Sequence, residues 1–219
     1  MTREEQDAFA LESQRRATAA ITSGRFEGQI VPVQTADGSF ERDEHPRPGV
    51  TAERLAALKP VFRKGGTVTA GNSSGINDGA AAVVLMSRDW AEQRSLPVLG
   101  SLRAVVTTGI EPEVMGYAPV GAIRKLVERT GVALDDVDVI ELNEAFAAQA
   151  VAVIRELSLN PARVNPNGGA IALGHPIGAT GAILTVKLLY ELERTGGHLG
   201  VVALCIGGGQ AIAALFERA

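Results

Sequence analysis

Between Asn143 and Leu157 the only strongly polar side chains after the first residue are Glu144, Gln149, Arg155 and Glu156, and every other position is apolar. At helical spacing such a segment is greasy on all faces, and a helix of that kind has to be buried on all sides. A lone sheet with solvent-washed helices is thereby excluded. The segment needs a layered α/β body in which it lies between other elements. One domain of this size has little to place on both of its faces, so the chain reads as half of something larger.

The flanking pattern supplies the layers. Val98–Thr107 reads as a strand, Val120–Arg129 as a helix closed by Gly131, and Val137–Leu142 as a strand feeding the Asn143–Leu157 helix. Gly178–Arg194 is a third helix closed by Gly196 and Gly197, and Val201–Ile206 and Gln210–Phe216 are strands joined across Gly207–Gly209. This alternation predicts an α/β fold, a mixed sheet with helices on both faces. It begins near residue 96, which divides the chain into 1–95 and 96–219. Upstream, Thr2 and Glu5 form a capping box that opens a helix with no breaker before Gly24. Gln29–Val33 reads as a short extended piece, Ala36–Gly49 as a surface loop, and Thr51 with Leu55–Leu58 as a short helix stopped by Pro60. Gly65–Gly79 is a loop rich in Gly, Ser and Asn. The apolar run Ala80–Met86 is either a buried strand or the end of a buried helix.

Composition narrows the function classes. With 46% apolar and 21% charged residues, wholesale disorder is excluded. The 25 glycines, beside six Phe, two Tyr and one Trp, point to close backbone packing. A net charge of −4 gives no reason to expect nucleic acid as a partner. One cysteine excludes a disulfide framework and an iron–sulfur cluster, and three scattered histidines argue against a metal site. Glycines and Gln210 interrupt the greasiest stretch, Val201–Phe216, so no membrane span is expected. Met1–Arg16 is charged and lacks the apolar core of a secretory signal, which predicts a cytoplasmic protein.

Three short stretches carry the chemistry: Asn143-Glu-Ala-Phe146, Gly174-His-Pro-Ile-Gly178-Ala-Thr-Gly181 and Cys205-Ile-Gly-Gly-Gly209. They are nearly evenly spaced, about one strand–helix unit apart, and converge on one sheet edge if their strands are neighbours. His175, beside a glycine-opened helix start, is kept neutral by the dipole and can accept a proton; it also reads as a structural loop histidine. Cys205 reads as a small buried hydrophobe, or as a thiol beside a glycine turn whose N–H groups form a nest for an oxyanion. Asn143 reads as an N-cap with Glu144 in the first turn, or as an amide that holds a water or polarises a carbonyl. His45, in a polar loop, and His198, in a turn, read as solvated. The glycine spacing around His175 fits neither a dinucleotide fingerprint nor a P-loop.

At these residues the sequence resembles the thiolase family, the acyl-CoA acetyltransferases. The resemblance rests on Asn143-Glu-Ala-Phe-Ala-Ala-Gln149, Asn165-Pro-Asn-Gly-Gly-Ala-Ile-Ala-Leu-Gly-His-Pro-Ile-Gly178, Cys205-Ile-Gly-Gly-Gly-Gln210 and Ala70-Gly-Asn-Ser-Ser-Gly-Ile-Asn-Asp-Gly-Ala80. It implies a thiolase-like, duplicated fold in which two α/β halves pack central helices between two sheets. By resemblance, His175 is the base for an acyl-accepting cysteine and Cys205 the acid/base acting on the second thioester or on free CoA. Asn143, through a water, and His175 form one oxyanion hole, and the Gly207 N–H contributes to the other. Ser74 contacts the pantetheine arm of CoA, while Met115 and Phe146 line the acyl or pantetheine pocket. Coenzyme A and acyl-CoA enter as substrates, and no permanently bound cofactor is implied. The implied protein partner is a second copy of the chain or a complementary first-half chain.

The sequence departs from the family in one large respect. A thiolase uses two cysteines; this chain has one, which matches the second. Residue 1 matches a point well inside the usual chain, so the nucleophile-bearing first half, with a further pocket histidine, is expected to be missing and the isolated chain inactive. A non-catalytic CoA-binding subunit paired with a separate first-half chain is the alternative. A β-ketoacyl synthase relative would carry histidine where Cys205 stands. Ile183 falls where an arginine is common.

Overall fold

The computed structural model describes residues 1–219. Helix α1 (Arg3–Thr22) starts on the expected capping box: Glu5 N–H donates to Thr2 Oγ1, and Thr2 N–H to the Glu5 carboxylate. Its buried stripe runs Gln6, Asp7, Ala10, Ser13, Gln14, Ala17 and Ala20, small and polar side chains that hydropathy does not mark. A hairpin of β1 (Val33–Thr35) and β2 (Gly38–Phe40) interrupts the stretch read as loop, so the extended piece starts later than Gln29. Helix α2 (Ala52–Ala56) is capped by Thr51 as expected.

The run Ala80–Met86 is neither strand nor buried helix. It has no regular structure, and Val84 and Leu85 are 84% and 77% exposed. A strand exists by pairing, and no strand of the chain pairs with this run. Helix α3 (Arg88–Gln93), capped by Ser87, follows it.

From β3 (Gly100–Gly109) onward the predicted alternation appears. A 3₁₀ turn over Pro112–Tyr117 leads into α4 (Ala118–Thr130), which Gly131 closes in the left-handed conformation. Then come β4 (Val139–Leu142), α5 (Ala147–Glu156), α6 (Ala170–Leu173), α7 (Thr180–Thr195), β5 (Leu199–Ile206) and β6 (Gln210–Arg218). The sheet order is β3-β6-β5-β4, antiparallel except for the parallel β4–β5 pair.

Side-chain alternation gives this sheet two apolar faces. Val201, Ala203, Ala213 and Leu215 pack with Ile123 and Leu126 of α4, while Val139, Val202 and Phe216 pack with Leu184, Leu188 and Leu192 of α7. Helices therefore cover both faces, and the sheet is mixed, as predicted. On the α4 side lies α5, where every side chain from Ala147 to Ile154 is buried or half-buried. It packs against α1 as well as α4 and the 3₁₀ turn, so residues far upstream supply its second layer. No helix is long and apolar enough to cross a membrane.

Candidate active site

Strand β4 delivers Asn143 to the C-terminal end of the sheet. Asn143 N–H donates to Ala203 O at 3.0 Å, which carries the β4–β5 pairing one residue further. Residues 143–146 then stay outside the helix, because a segment seventy residues upstream pairs with them. Ser74 N–H donates to Ala145 O (3.1 Å), Ala147 N–H donates to Asn72 O (2.9 Å), and Ser73 bridges Phe146. Helix α5 accordingly starts at Ala147, with Phe146 at φ −144° in the cap position. Asn143 is therefore not an N-cap, and Glu144 is not in a first turn. Tertiary pairing takes both residues before the helix can.

His175 stands on the loop between α6 and α7, and its ring is fixed by its neighbours. Thr180 Oγ1 donates to Pro176 O (2.8 Å), so its contact with His175 Nδ1 at 2.7 Å must be an acceptance. The imidazole proton thus sits on Nδ1, and Nε2 carries the lone pair. Asn143 Nδ2 points at that nitrogen from 3.3 Å and donates to it. Burial holds the His175 pKa below its ordinary value, so the ring is a neutral base. Desolvation, not the helix dipole expected from the sequence, is the cause of the shift, and the helix start meets the ring through Thr180, the first residue of α7. Asn143, 1% exposed, keeps its Oδ1 unpaired and buried. A buried amide oxygen without a donor costs about 1–3 kcal/mol, a cost that a water placed there would relieve.

Cys205 lies on β5 at the same end of the sheet, two residues beyond Ala203, and pairs with Ala211 of β6. It makes no side-chain hydrogen bond to His175 or Asn143. Burial pushes its thiol above the ordinary value, so the group is a protonated thiol at neutral pH. Gly207 and Gly208, in the turn that follows, donate their N–H groups to no acceptor in the chain. Gly209, at φ +85°, lies so close to the Ile110 carbonyl that no side chain fits. Ile110 N–H in turn donates to Gly209 O at 2.7 Å. This seam sets the Met115-bearing 3₁₀ turn beside the glycine turn. Phe146 is half-buried and meets the exposed Phe62 edge to face at 6.0 Å. Ser74 is half-buried, with its hydroxyl donating to Ala145 O at 3.2 Å.

Sequence reasoning missed several residues that hold this arrangement. Thr180 stood inside a quoted motif without a role. Asn77 accepts the His175 N–H through Oδ1 (3.1 Å). Glu144, 1% exposed, accepts from Ser13 Oγ (2.6 Å), Asn165 Nδ2 (2.8 Å) and Ile171 N–H (3.2 Å), tying α1, the Asn165 turn and α6 to the strand end. Lys187, on α7, is buried on Glu141 (2.8 Å) and Gly168 O (2.7 Å). Polar residues at core positions of amphipathic patterns were the signal. His45 is half-buried against Gly75 and Asn77 rather than solvated, whereas His198 is exposed and faces Glu217 at 2.9 Å.

A mixed sheet with helices on both faces and Asn143, His175 and Cys205 at one end defines an α/β protein whose candidate site lies at its strand tips. The family model described as thiolase, C-terminal domain, matches residues 96–218, and that described as thiolase, N-terminal domain, matches 1–89; the chain belongs to the thiolase family. It is 54% identical over its whole length to the beta-ketothiolase BktB of Cupriavidus necator and 52% identical to an acetyl-CoA acetyltransferase of Pseudomonas aeruginosa. Among solved structures, the Bacillus anthracis acetyl-CoA acetyltransferase superposes with a TM-score of 0.97 at 49% identity, over all of this chain and 57% of that one. A human mitochondrial 3-ketoacyl-CoA thiolase in complex with CoA gives 0.95 at 42%, over 55% of that chain. The chain spans 57% of the length of the two bacterial relatives.

Proposed function

We propose that these 219 residues supply the second-half machinery of a thiolase, cleaving 3-ketoacyl-CoA with CoA or condensing two acyl-CoA. The nucleophilic cysteine comes from residues outside them. The supporting observation is the His175 ring, held neutral with its Nε2 lone pair facing Asn143. In this reading the nucleophile's thiol gives its proton to Nε2 and its thiolate forms the bond to the substrate carbonyl. Nε2–H, together with a water held on Asn143 Oδ1, then donates to the enolate oxygen of the departing acyl-CoA. In the cleavage direction the bond between the α and β carbons breaks, and Cys205 gives its proton to the departing carbanion. The resulting Cys205 thiolate takes the proton of incoming CoA, whose sulfur displaces the acyl group from the nucleophile, and the released thiolate takes its proton back from His175 Nε2. The free N–H groups of the glycine turn suit a second oxyanion. Ser74, Met115 and Phe146 flank the path proposed for the pantetheine arm and acyl chain, and the two parts 1–95 and 96–219 act together.

The test is CoA-dependent cleavage of acetoacetyl-CoA by the chain alone and by the chain co-expressed with the first-half segment of the Cupriavidus necator relative. The expected result is no turnover alone, turnover on complementation, and a loss of about 10²–10⁴-fold in His175→Ala. Turnover by the chain alone that vanishes in Cys205→Ala would make Cys205 the nucleophile and overturn the proposal. The single cysteine also favours a second reading, a CoA-binding subunit without chemistry. Calorimetric CoA binding with no turnover on complementation would select it.

A further inference from the structure

The loop that carries His175 is laced to a segment from the other part of the chain. Ile76 and His175 form a parallel bridge, and Asn77 Oδ1 takes the His175 N–H. The approach is close enough to demand glycine on both sides. A methyl group on Gly174, at φ +95°, would meet Asn77 Oδ1 at 2.6 Å; one on Gly79 would meet Pro176 Cγ at 2.6 Å. One on Gly75 would meet His45 Cε1 at 2.5 Å. His45 therefore backs the segment that backs His175.

Donors and acceptors can be assigned along this line without freedom. The His175 main chain can only donate, so Asn77 presents Oδ1 to it and Nδ2 to His45. Nδ2 can only donate, so His45 Nδ1, 3.4 Å away, must be an acceptor and its ring proton sits on Nε2. The Ile171 carbonyl, Asp43 and Arg47 are the other groups that bear on the charge of that ring. A proton on His45 Nδ1 would set donor against donor and force the Asn77 amide to turn, which would release the His175 N–H.

We infer that Asn77 and His45 are positioning residues for His175: Asn77 fixes the loop through its main chain, and a neutral His45 fixes the Asn77 amide. Neither touches the reacting atoms. The inference rests on the reading of His175 as the base, but its test reads the rings themselves, so a failure of turnover and a failure of the clamp are separate results.

The experiment is long-range ¹H–¹⁵N correlation of the imidazoles in the 219-residue chain labelled at histidine, with His198→Gln and His45→Gln for assignment. The wild type should show His175 as a single tautomer protonated at Nδ1 and His45 protonated at Nε2. In Asn77→Ala, His175 should collapse to a tautomer mixture and titrate nearer an exposed histidine. In Asn77→Asp the carboxylate still accepts the His175 N–H but cannot donate to His45. This variant should restore the wild-type His175 pattern while His45 titrates at least about one pH unit higher, because a carboxylate now faces it. An unchanged His175 in a folded Asn77→Ala protein would overturn the inference. Should the alanine variant not fold, an unmoved His45 in Asn77→Asp would overturn it instead.

Discussion

Three polar atoms of His175 are met by three different partners: Thr180 at Nδ1, Asn143 at Nε2 and Asn77 at the main-chain N–H. Thr180→Val removes the acceptor that selects the tautomer and frees the proton to move to Nε2. In the complemented enzyme this should lower kcat at least about tenfold with little change in KM; equal kcat would show that Asn143 alone sets the ring. Cys205 offers a test on the isolated chain. Its thiol is pushed above the ordinary value of 9.0 by burial. Alkylation by iodoacetamide at pH 8 should thus lag behind a free thiol and accelerate only as the pH passes 9, and a rate already flat at pH 8 would contradict this. The sequence made these two residues legible through their glycine neighbours. Of the two readings of Asn143 the cap fails: Asn followed by Glu is what a helix start looks like, and nothing local announces that Ser73 and Ser74 will claim the same residues.

The helices that were legible have ends written in their own residues, as with Thr2 and Glu5 for α1, Gly131 for α4 and Gly196 for α7. What was not legible depends on partners far away in sequence. The buried stripe of α1 is polar because Ser13 and Gln14 complete hydrogen bonds to Glu144 and to the Ile171 carbonyl. Burial pushes the Glu144 carboxyl above the usual carboxylate range, and three donors converge on its two oxygens. Glu144→Gln puts an amide hydrogen where a donor already points, and should cost about 1–3 kcal/mol, read as a shift in the urea midpoint. On the opposite face, Leu188 is fully buried between Leu184, Leu192 and Val202, and Gly200 leaves it room. Leu188→Ala should cost about 2–5 kcal/mol. A Glu144→Gln cost as large as that of Leu188→Ala would mean the carboxylate clamp matters as much as the core.

Across the whole molecule the apolar surface is unevenly spread. Of the six large apolar side chains more than 70% exposed, five, Val31, Phe62, Ile76, Val84 and Leu85, lie in residues 1–95, and Ile177 alone lies beyond. Patches of that kind drive association. Sedimentation of the chain should depend on concentration, and Val84→Lys with Leu85→Lys should weaken that dependence; a monomer at all concentrations would rule it out. Acid should also weaken the fold. Burial holds His45 and His175 below the ordinary histidine value of 6.5, so the unfolded chain binds more protons as the pH falls from 6.5 toward the folded values. Stability is lost over that interval, and the loss should be smaller in His45→Gln. The run Ala80–Met86 marks where sequence reading stops at this scale: its greasiness was plain, but whether it pairs depends on strands the chain does not provide.

The lacing of residues 72–79 onto the His175 loop bears on how such chains can be recombined. Near residue 95 two family domains meet, and a chimaera joined there looks like a clean exchange. Yet glycines at 75, 79 and 174 and the amide at 77 interlock across that junction. A crossover between relatives would preserve the histidine's setting only if both parents share those four residues, so the permissible breakpoints are set by fit around one loop and not by the domain map.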